Sequence, residues 1–362
     1  MTSVRTARPW PPGWPRHLTP GRWRVVFWEL ERDAHYNWRV GLRVGLTVAA
    51  PLLLGLLTHQ VAAGSVAGIA AWLLAIAPTA PTGKQRCWQN LRRAALLSAG
   101  YLLGLVAGTV GVSQWWLAAI FVAALGALTP VRWIAITPLI CLIVGLDPPA
   151  GLSFGAASWC FGGGCLWAAL ALLIPIGGRH PSTSSVAEQR LSLRQHVRQR
   201  TPEFRHGGQV AVLCTGLFVL LTVLEWPHAG WLLVGVLTTL RPSWAATEAR
   251  VVKRSIGMAG GALLTAAALA IGHHSPAWAT AALIAVLGAA ARPLRQLNYG
   301  FWPVLGTPTL LLLVDLGTRL DGVAPEFRLL NNLLGAAFTL LAVTVLWPHP
   351  DQRPPRREPS DR

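Results

Sequence analysis

The chain is 362 residues long, 53% hydrophobic and only 12% charged, with a formal net charge of +17 and a mean hydropathy of +0.46. A soluble domain carries about 25% charged residues, so this chain cannot cover a water-facing surface, and lipid must solvate most of it. Nucleic acid is the usual partner of so basic a chain, but the placement of the basic residues excludes it here.

Residues 1–40 form a basic arm rich in Trp and Pro, in which Trp10, Trp14, Trp23 and Trp28 alternate with Arg5, Arg8, Arg16, Arg22 and Arg24. Aromatic and cationic side chains together suit the headgroup layer of an anionic leaflet. Two readings stand: a tail leading into an amphipathic helix over residues 25–36, or a docking site. The arm lacks the short apolar core and small-residue cleavage site of a signal peptide.

Apolar segments follow at 41–58, 61–80, 94–112, 115–130, 132–146 and 154–176, and again at 209–225, 229–245, 255–272, 276–291, 300–317 and 328–348. Most approach the roughly 20 residues that a bilayer-crossing helix needs. The pattern predicts an all-α polytopic transmembrane bundle of about 12 spans, ten or eleven if short segments do not cross. A first six-span unit covers 41–176, a basic cytoplasmic linker 177–208, a second six-span unit 209–348 and a cytoplasmic tail 349–362. In the linker, VAEQRLSLRQHVRQR has the composition of one short surface helix.

The stretch WLLVGVLTTLRPSWAATEARVVKRSIGMAGG, from Trp231 to Gly261, organises the second unit. It reads as a span broken at Arg241-Pro242, a turn carrying Arg250, Lys253 and Arg254, and a second span entered through Gly257, Gly260 and Gly261. A degraded copy runs from Trp72 to Gly104, with its own basic turn and the pair Gly100/Gly104. An even number of spans per unit makes the two copies parallel repeats, with a pseudo-two-fold axis along the membrane normal. Small residues one turn apart let helix backbones approach, which assigns these glycines to helix packing. Thr137-Pro138 and Thr307-Pro308 begin the fifth span of each unit. A proline inside a membrane helix frees a carbonyl, so the pair marks either a substrate pathway or two packing kinks.

Positive residues concentrate on the cytoplasmic side of membrane proteins. Alternating the loops from a cytoplasmic N-terminus puts 29 of the 31 Lys and Arg residues inside, leaving only Arg319 and Arg328 outside. Both termini are thereby expected in the cytoplasm, and the large net charge becomes a topology signal. The five cysteines, Cys87, Cys141, Cys160, Cys165 and Cys214, show no metal-ligand spacing and read as reduced and structural. His273-His274 read as a solvated turn. No phosphate-binding loop or acyltransferase motif is present, so neither an enzyme nor a cofactor is expected.

Across Trp231, Arg241, Pro242, Ser243, Arg254, Gly257, Gly260 and Gly261 the chain resembles the fusaric-acid-resistance-like membrane family, which includes bacterial aromatic carboxylic acid exporters. The closing span, from Asn331-Asn332 to Trp347-Pro348, is also similar to that family's last helix. The first-half copy lacks the Arg-x-x-Gly arrangement, and the large cytoplasmic domain of bigger exporters is absent. Plant anion channels of the malate type look distantly related in layout. The resemblance implies an inner-membrane secondary transporter exporting small organic, aromatic carboxylic, anions. A passive anion channel and a membrane scaffold or envelope-assembly partner are the alternatives.

Arg241, Arg250 and Arg254 crowd one basic turn, and Lys84, Arg86, Arg92 and Arg93 crowd its counterpart. Guanidinium groups hold carboxylates bidentately, which makes Arg241 and Arg254 a candidate clamp, with Arg250, Thr307 and Thr137 as further substrate contacts. Glu225, Asp315 and Asp147 end spans and are candidates for proton coupling or solvated caps, while Glu248 is expected to pair with a neighbouring arginine. The expected partners are the anion, the bilayer and, as an alternative to a monomer, a second copy of the chain.

Overall fold

Hydropathy marks where lipid begins, not where a helix begins, and the helices extend past the apolar segments. A computed structural model describes residues 20–30, 36–76, 83–109, 136–146, 152–174, 202–226, 229–241, 244–272, 275–318 and 324–346. These contain twelve α-helices and no strand. A short α1 (Pro20–Trp28) precedes α2 (Trp38–Leu57), α3 (Val61–Ala75) and α4 (Gly83–Thr109). Then come α5 (Ile136–Leu146), α6 (Phe154–Ala171), α7 (Pro202–Val223), α8 (Ala229–Thr239) and α9 (Trp244–Gly272). The chain closes with α10 (Ala277–Leu297), α11 (Phe301–Thr318) and α12 (Ala324–Leu341), whose last turn opens into a π turn at Ala342–Leu346. The expected fourth span, the linker helix and the C-terminal tail lie outside the described residues.

Seven of these helices are long and apolar enough to cross a bilayer: α2, α4, α6, α7, α9, α10 and α12. The shorter apolar helices α3, α5, α8 and α11 occupy the interior. In α3 nearly every residue from Gly64 to Ala75 is buried, and α8 is buried from Leu232 to Leu237. A helix capped and flanked by protein does not have to reach both lipid surfaces, which is why the short ones sit inside. The long helices turn Leu53, Leu102, Trp159, Val212, Leu263, Trp278 and Val286 outward. So continuous an apolar exterior suits acyl chains and not water. The chain is a multi-pass membrane protein.

Two expectations change. The basic segments at 81–93 and 241–254 are not turns: Lys84, Arg86, Arg92 and Arg93 lie on α4, and Arg250, Lys253 and Arg254 on α9. With 27 and 29 residues, each of these helices is about 40 Å long and runs on beyond the apolar core. Nor do the two halves form separate lobes. One core joins Val44, Trp72, Leu97 and Phe161 to Ile284 and Leu313. The other joins Leu139 and Leu142 to Leu213, Leu237 and Val343. Helices α10 and α11 therefore pack with the first half, and α5 packs with the second.

The packing repeats in order. In the first half α3 packs on α6, and α4 packs on both α5 and α6; in the second, α8 packs on α12, and α9 packs on both α11 and α12. Across the halves, α3 meets α11 as α5 meets α8. Glycines set the closest approaches. Gly100, Gly104 and Gly108 lie against Pro138, Leu142 and Leu146, so α4 and α5 run parallel. Gly257 lies against Gly300, and Gly261 against the Pro303 carbonyl and Thr307, so α9 and α11 run parallel too. Gly260 meets Val304 at ordinary van der Waals distance. By these contacts Gly300 stands in the place of Pro138 and Pro303 in the place of Leu142, so Pro308 is not the counterpart of Pro138.

The prolines inside helices are absorbed by neighbours. Pro51 frees the Thr47 carbonyl, and the Trp167 indole donates to it at 2.8 Å. Pro308 frees the Val304 carbonyl, which lies beside Gly261.

Candidate functional site

A helix that stops inside the bundle leaves carbonyls needing donors, and α8 stops at Thr239. Arg241 supplies them: its Nη1 donates to the Leu240 carbonyl at 3.2 Å and its Nη2 to the Thr238 carbonyl at 3.3 Å. The Thr238 carbonyl also accepts from Arg250 Nε at 3.4 Å. Thr247, one turn into α9, accepts from the Arg241 backbone N–H at 3.1 Å and donates to its carbonyl at 3.2 Å. The break is thus held by the Arg241 side chain within it and by Thr247 and Arg250 on α9.

Three arginines converge on Tyr299, in the turn between α10 and α11. The Arg250 guanidinium lies 3.0 Å above the Tyr299 ring centroid, an attraction between cation and ring face. Arg254 donates from Nη1 to the Tyr299 hydroxyl at 3.3 Å and from Nη2 to Asn332 Oδ1 at 2.6 Å. Burial pushes the Tyr299 phenol up, but Arg254, Arg250 and Arg241 more than offset it and hold the group down at about 7. Burial lowers Arg241, Tyr299 opposes that shift, and Arg295 and Arg254 add to it. Arg295 itself lies 4.9 Å over the Trp302 ring. The result is a cationic, aromatic-lined group where α8, α9, α11 and α12 meet.

Of the residues singled out from sequence, Arg241, Arg250 and Arg254 come together here. Arg241 spends donors on the Leu240 and Thr238 carbonyls, and Arg254 on Tyr299 and Asn332. Thr307 is buried on α11 and donates to Met258 Sδ at 3.0 Å. Thr137 is half-buried in the first turn of α5, beside the Pro138–Gly100 contact and on a different element from the arginine group. Glu225 follows α7 as an exposed residue with φ 50°, in the left-handed region. Asp315 is half-buried near the end of α11, and Asp147 lies outside the described residues. Arg328 was assigned to an outer loop; it lies on α12 and is 6% exposed. A basic residue near a span boundary counts the same to a charge tally whether it faces water or the bundle, and here it faces the bundle. Sequence reasoning missed Tyr299 and Thr238 as members of the group. The signal was thin: a tyrosine between Asn298 and Gly300, in a chain with three tyrosines.

The family model described as fusaric acid resistance protein-like matches residues 213–342. The matched segment runs from within α7 to the end of α12 and includes Arg241, Arg250, Arg254, Tyr299 and Asn332. The resemblance read from Trp231–Gly261 therefore holds across the second half. An uncharacterized Escherichia coli K12 protein, YhfK, is 26% identical over 160 residues, covering 43% of this chain and 22% of that relative. The chain matches about a fifth of the length of that curated relative. No solved structure matches.

Proposed function

We propose that this protein is a secondary exporter of small organic anions, aromatic carboxylates foremost, in the bacterial cytoplasmic membrane. The observation that carries the reading is the convergence of Arg241, Arg250 and Arg254 on one buried phenol at the α8 break. Guanidinium groups at the mouth of a water-poor vestibule raise the local concentration of anions and offer planar, bidentate contacts to carboxylates. The Tyr299 and Trp302 rings add flat apolar surface beside those charges. In this reading both termini are cytoplasmic, the Arg241 end of the bundle faces inward, and the recurring helix contacts reflect two parallel six-span repeats. The matched family's name, with its link to resistance against an organic acid, agrees with the direction of transport. The protein works as a transporter rather than an enzyme, with neither cofactor nor nucleic acid.

The experiment is uptake of phthalate, an aromatic dicarboxylate that leaks slowly through lipid, into proteoliposomes holding equal amounts of parent, Arg254→Gln and Arg39→Gln. Arg39 is exposed at the start of α2, away from the group. Loss of a charge-assisted contact to the anion should lower uptake by Arg254→Gln about tenfold and leave Arg39→Gln within about twofold. Equal uptake by Arg254→Gln and parent would remove the arginine group from the path.

A further inference from the structure

We infer that Arg328 and Arg254 form a second, deeper anion station inside the bundle, between α8, α9 and α12, that takes the carboxylate of the transported anion. This rests on the exporter reading above and places a binding step within it.

The station adds Arg328 and Trp231 to Arg254 and Asn332, which also serve the cluster at the helix break. Arg328 lies on the first turns of α12 and Trp231 near the start of α8, with the guanidinium 3.8 Å from the Trp231 ring centroid. Arg328 is 6% exposed, and its Nε and Nη1 meet no acceptor. One turn further along the same face of α12, Asn332 accepts from Arg254 at 2.6 Å and donates to the Arg328 carbonyl at 2.8 Å. Arg254 is 7% exposed, and its Nε too meets no acceptor. Asn331, the neighbour, accepts from the Trp226 indole at 2.7 Å. The two guanidinium groups are close enough to repel one another.

Two like charges held inside a bundle with open donors are costly, and the cost falls when an anion satisfies them. An arginine kept for architecture would spend its fork on carbonyls, as Arg241 does at the α8 break. Arg328 instead lays one face on Trp231 and leaves Nε and Nη1 without acceptors. Unfilled guanidinium donors are the partners that a carboxylate takes. The Trp231 ring beside it offers apolar surface to an aromatic body. The contacts between α8 and α12 run in parallel register, Gly235 against Asn332 and Gly335, and Thr239 against Thr339. Arg328, beside Trp231, is therefore set deeper than the α8 break by most of the length of α8, an 11-residue helix. An anion received at Arg241 and Arg250 has this station as its next cationic contact.

The test uses the purified full chain in detergent, with benzoate, its neutral analogue benzamide, and chloride as probes. Parent, Arg328→Gln, Arg328→Lys and Arg328→Leu are titrated by calorimetry, and their thermal midpoints are read with and without each probe. The parent should bind benzoate and be stabilised by it, with benzamide and chloride at least about tenfold weaker. Arg328→Gln and Arg328→Leu should lose at least about tenfold in benzoate affinity, and Arg328→Lys should recover part of it. Without any anion, Arg328→Leu should melt at or above the parent's midpoint, because an uncompensated buried charge has gone.

Equal benzoate binding by parent and Arg328→Gln overturns the inference; if the parent still carries phthalate, the exporter reading survives. Chloride binding as tight as benzoate makes the station an inorganic-anion site and overturns it. Loss of the folded protein in all three variants assigns Arg328 to the architecture and overturns it as well. A parent that neither binds benzoate nor carries phthalate removes both readings together.

Discussion

Tyr299 is the side chain on which most of the arginine group's electrostatics converge. Its phenol, ordinarily at 10.0, is held down at about 7, since Arg254, Arg250 and Arg241 outweigh the upward push of burial. A group whose folded value lies below its unfolded value adds stability that is complete above the unfolded value. That contribution is lost as pH falls through the folded one. Relative to Tyr299→Phe, the parent should therefore gain thermal stability as pH rises from about 7 to about 10. Tyrosinate absorbance of the parent should rise near neutrality, and that step should vanish in Tyr299→Phe. A parent in which no tyrosine titrates below about pH 10 would contradict this placement of the arginines. Arg241 shows the opposite division of labour. Its charge contributes to the group's field, while its hydrogen bonds go to the carbonyls at the end of α8.

Helix packing on glycine faces is the element-scale feature. A Cβ at Gly261 would run into the Pro303 carbonyl, whereas Ala270 is exposed on the same helix. Gly261→Leu should cost about 3 kcal/mol by forcing α9 and α11 apart, and Ala270→Leu should stay within about 0.5 kcal/mol. The check is the thermal midpoint and monodispersity of each variant in detergent; equal tolerance at both positions would contradict the packing. This part was legible in the sequence. A pair of glycines one turn apart is a local pattern, and both Gly100/Gly104 and Gly257/Gly261 lie on a helix–helix contact. The helix limits were less legible. Hydropathy placed the start of the ninth span at Ser255, but α9 starts at Trp244, because charged residues outside lipid are as good in a helix as in a turn. Arg328 was illegible for a related reason: sequence position near a span end does not say which way a side chain faces. The convergence on Tyr299 brings together residues 45 and more positions apart, and no local pattern records it.

At the scale of the whole molecule, the two halves interleave, with α2 against α10 and α3 against α11. Ser65 on α3 donates to the Leu313 carbonyl on α11, tying the halves near the end opposite Arg241. At the Arg241 end, α1 reaches across: Phe27 stacks edge-on with Phe301 at 5.9 Å, and Asn298 donates to the Phe27 carbonyl. Lys253 donates to the Glu29 carbonyl just beyond α1. Helix α1 is thus seated against the turn that carries Tyr299, where an anion in the exporter reading would first meet the protein. In the exporter reading, the buried arginines and the interleaved bundle serve one purpose, passage of an organic anion through this chain. The direct measurement is the rate at which radiolabelled phthalate enters proteoliposomes containing the parent protein, against protein-free vesicles of the same lipid. The account predicts uptake that scales with protein, is competed by benzoate and not by benzamide, and accelerates when a pH gradient is imposed. Uptake no faster than in protein-free vesicles, with or without the gradient, would contradict it.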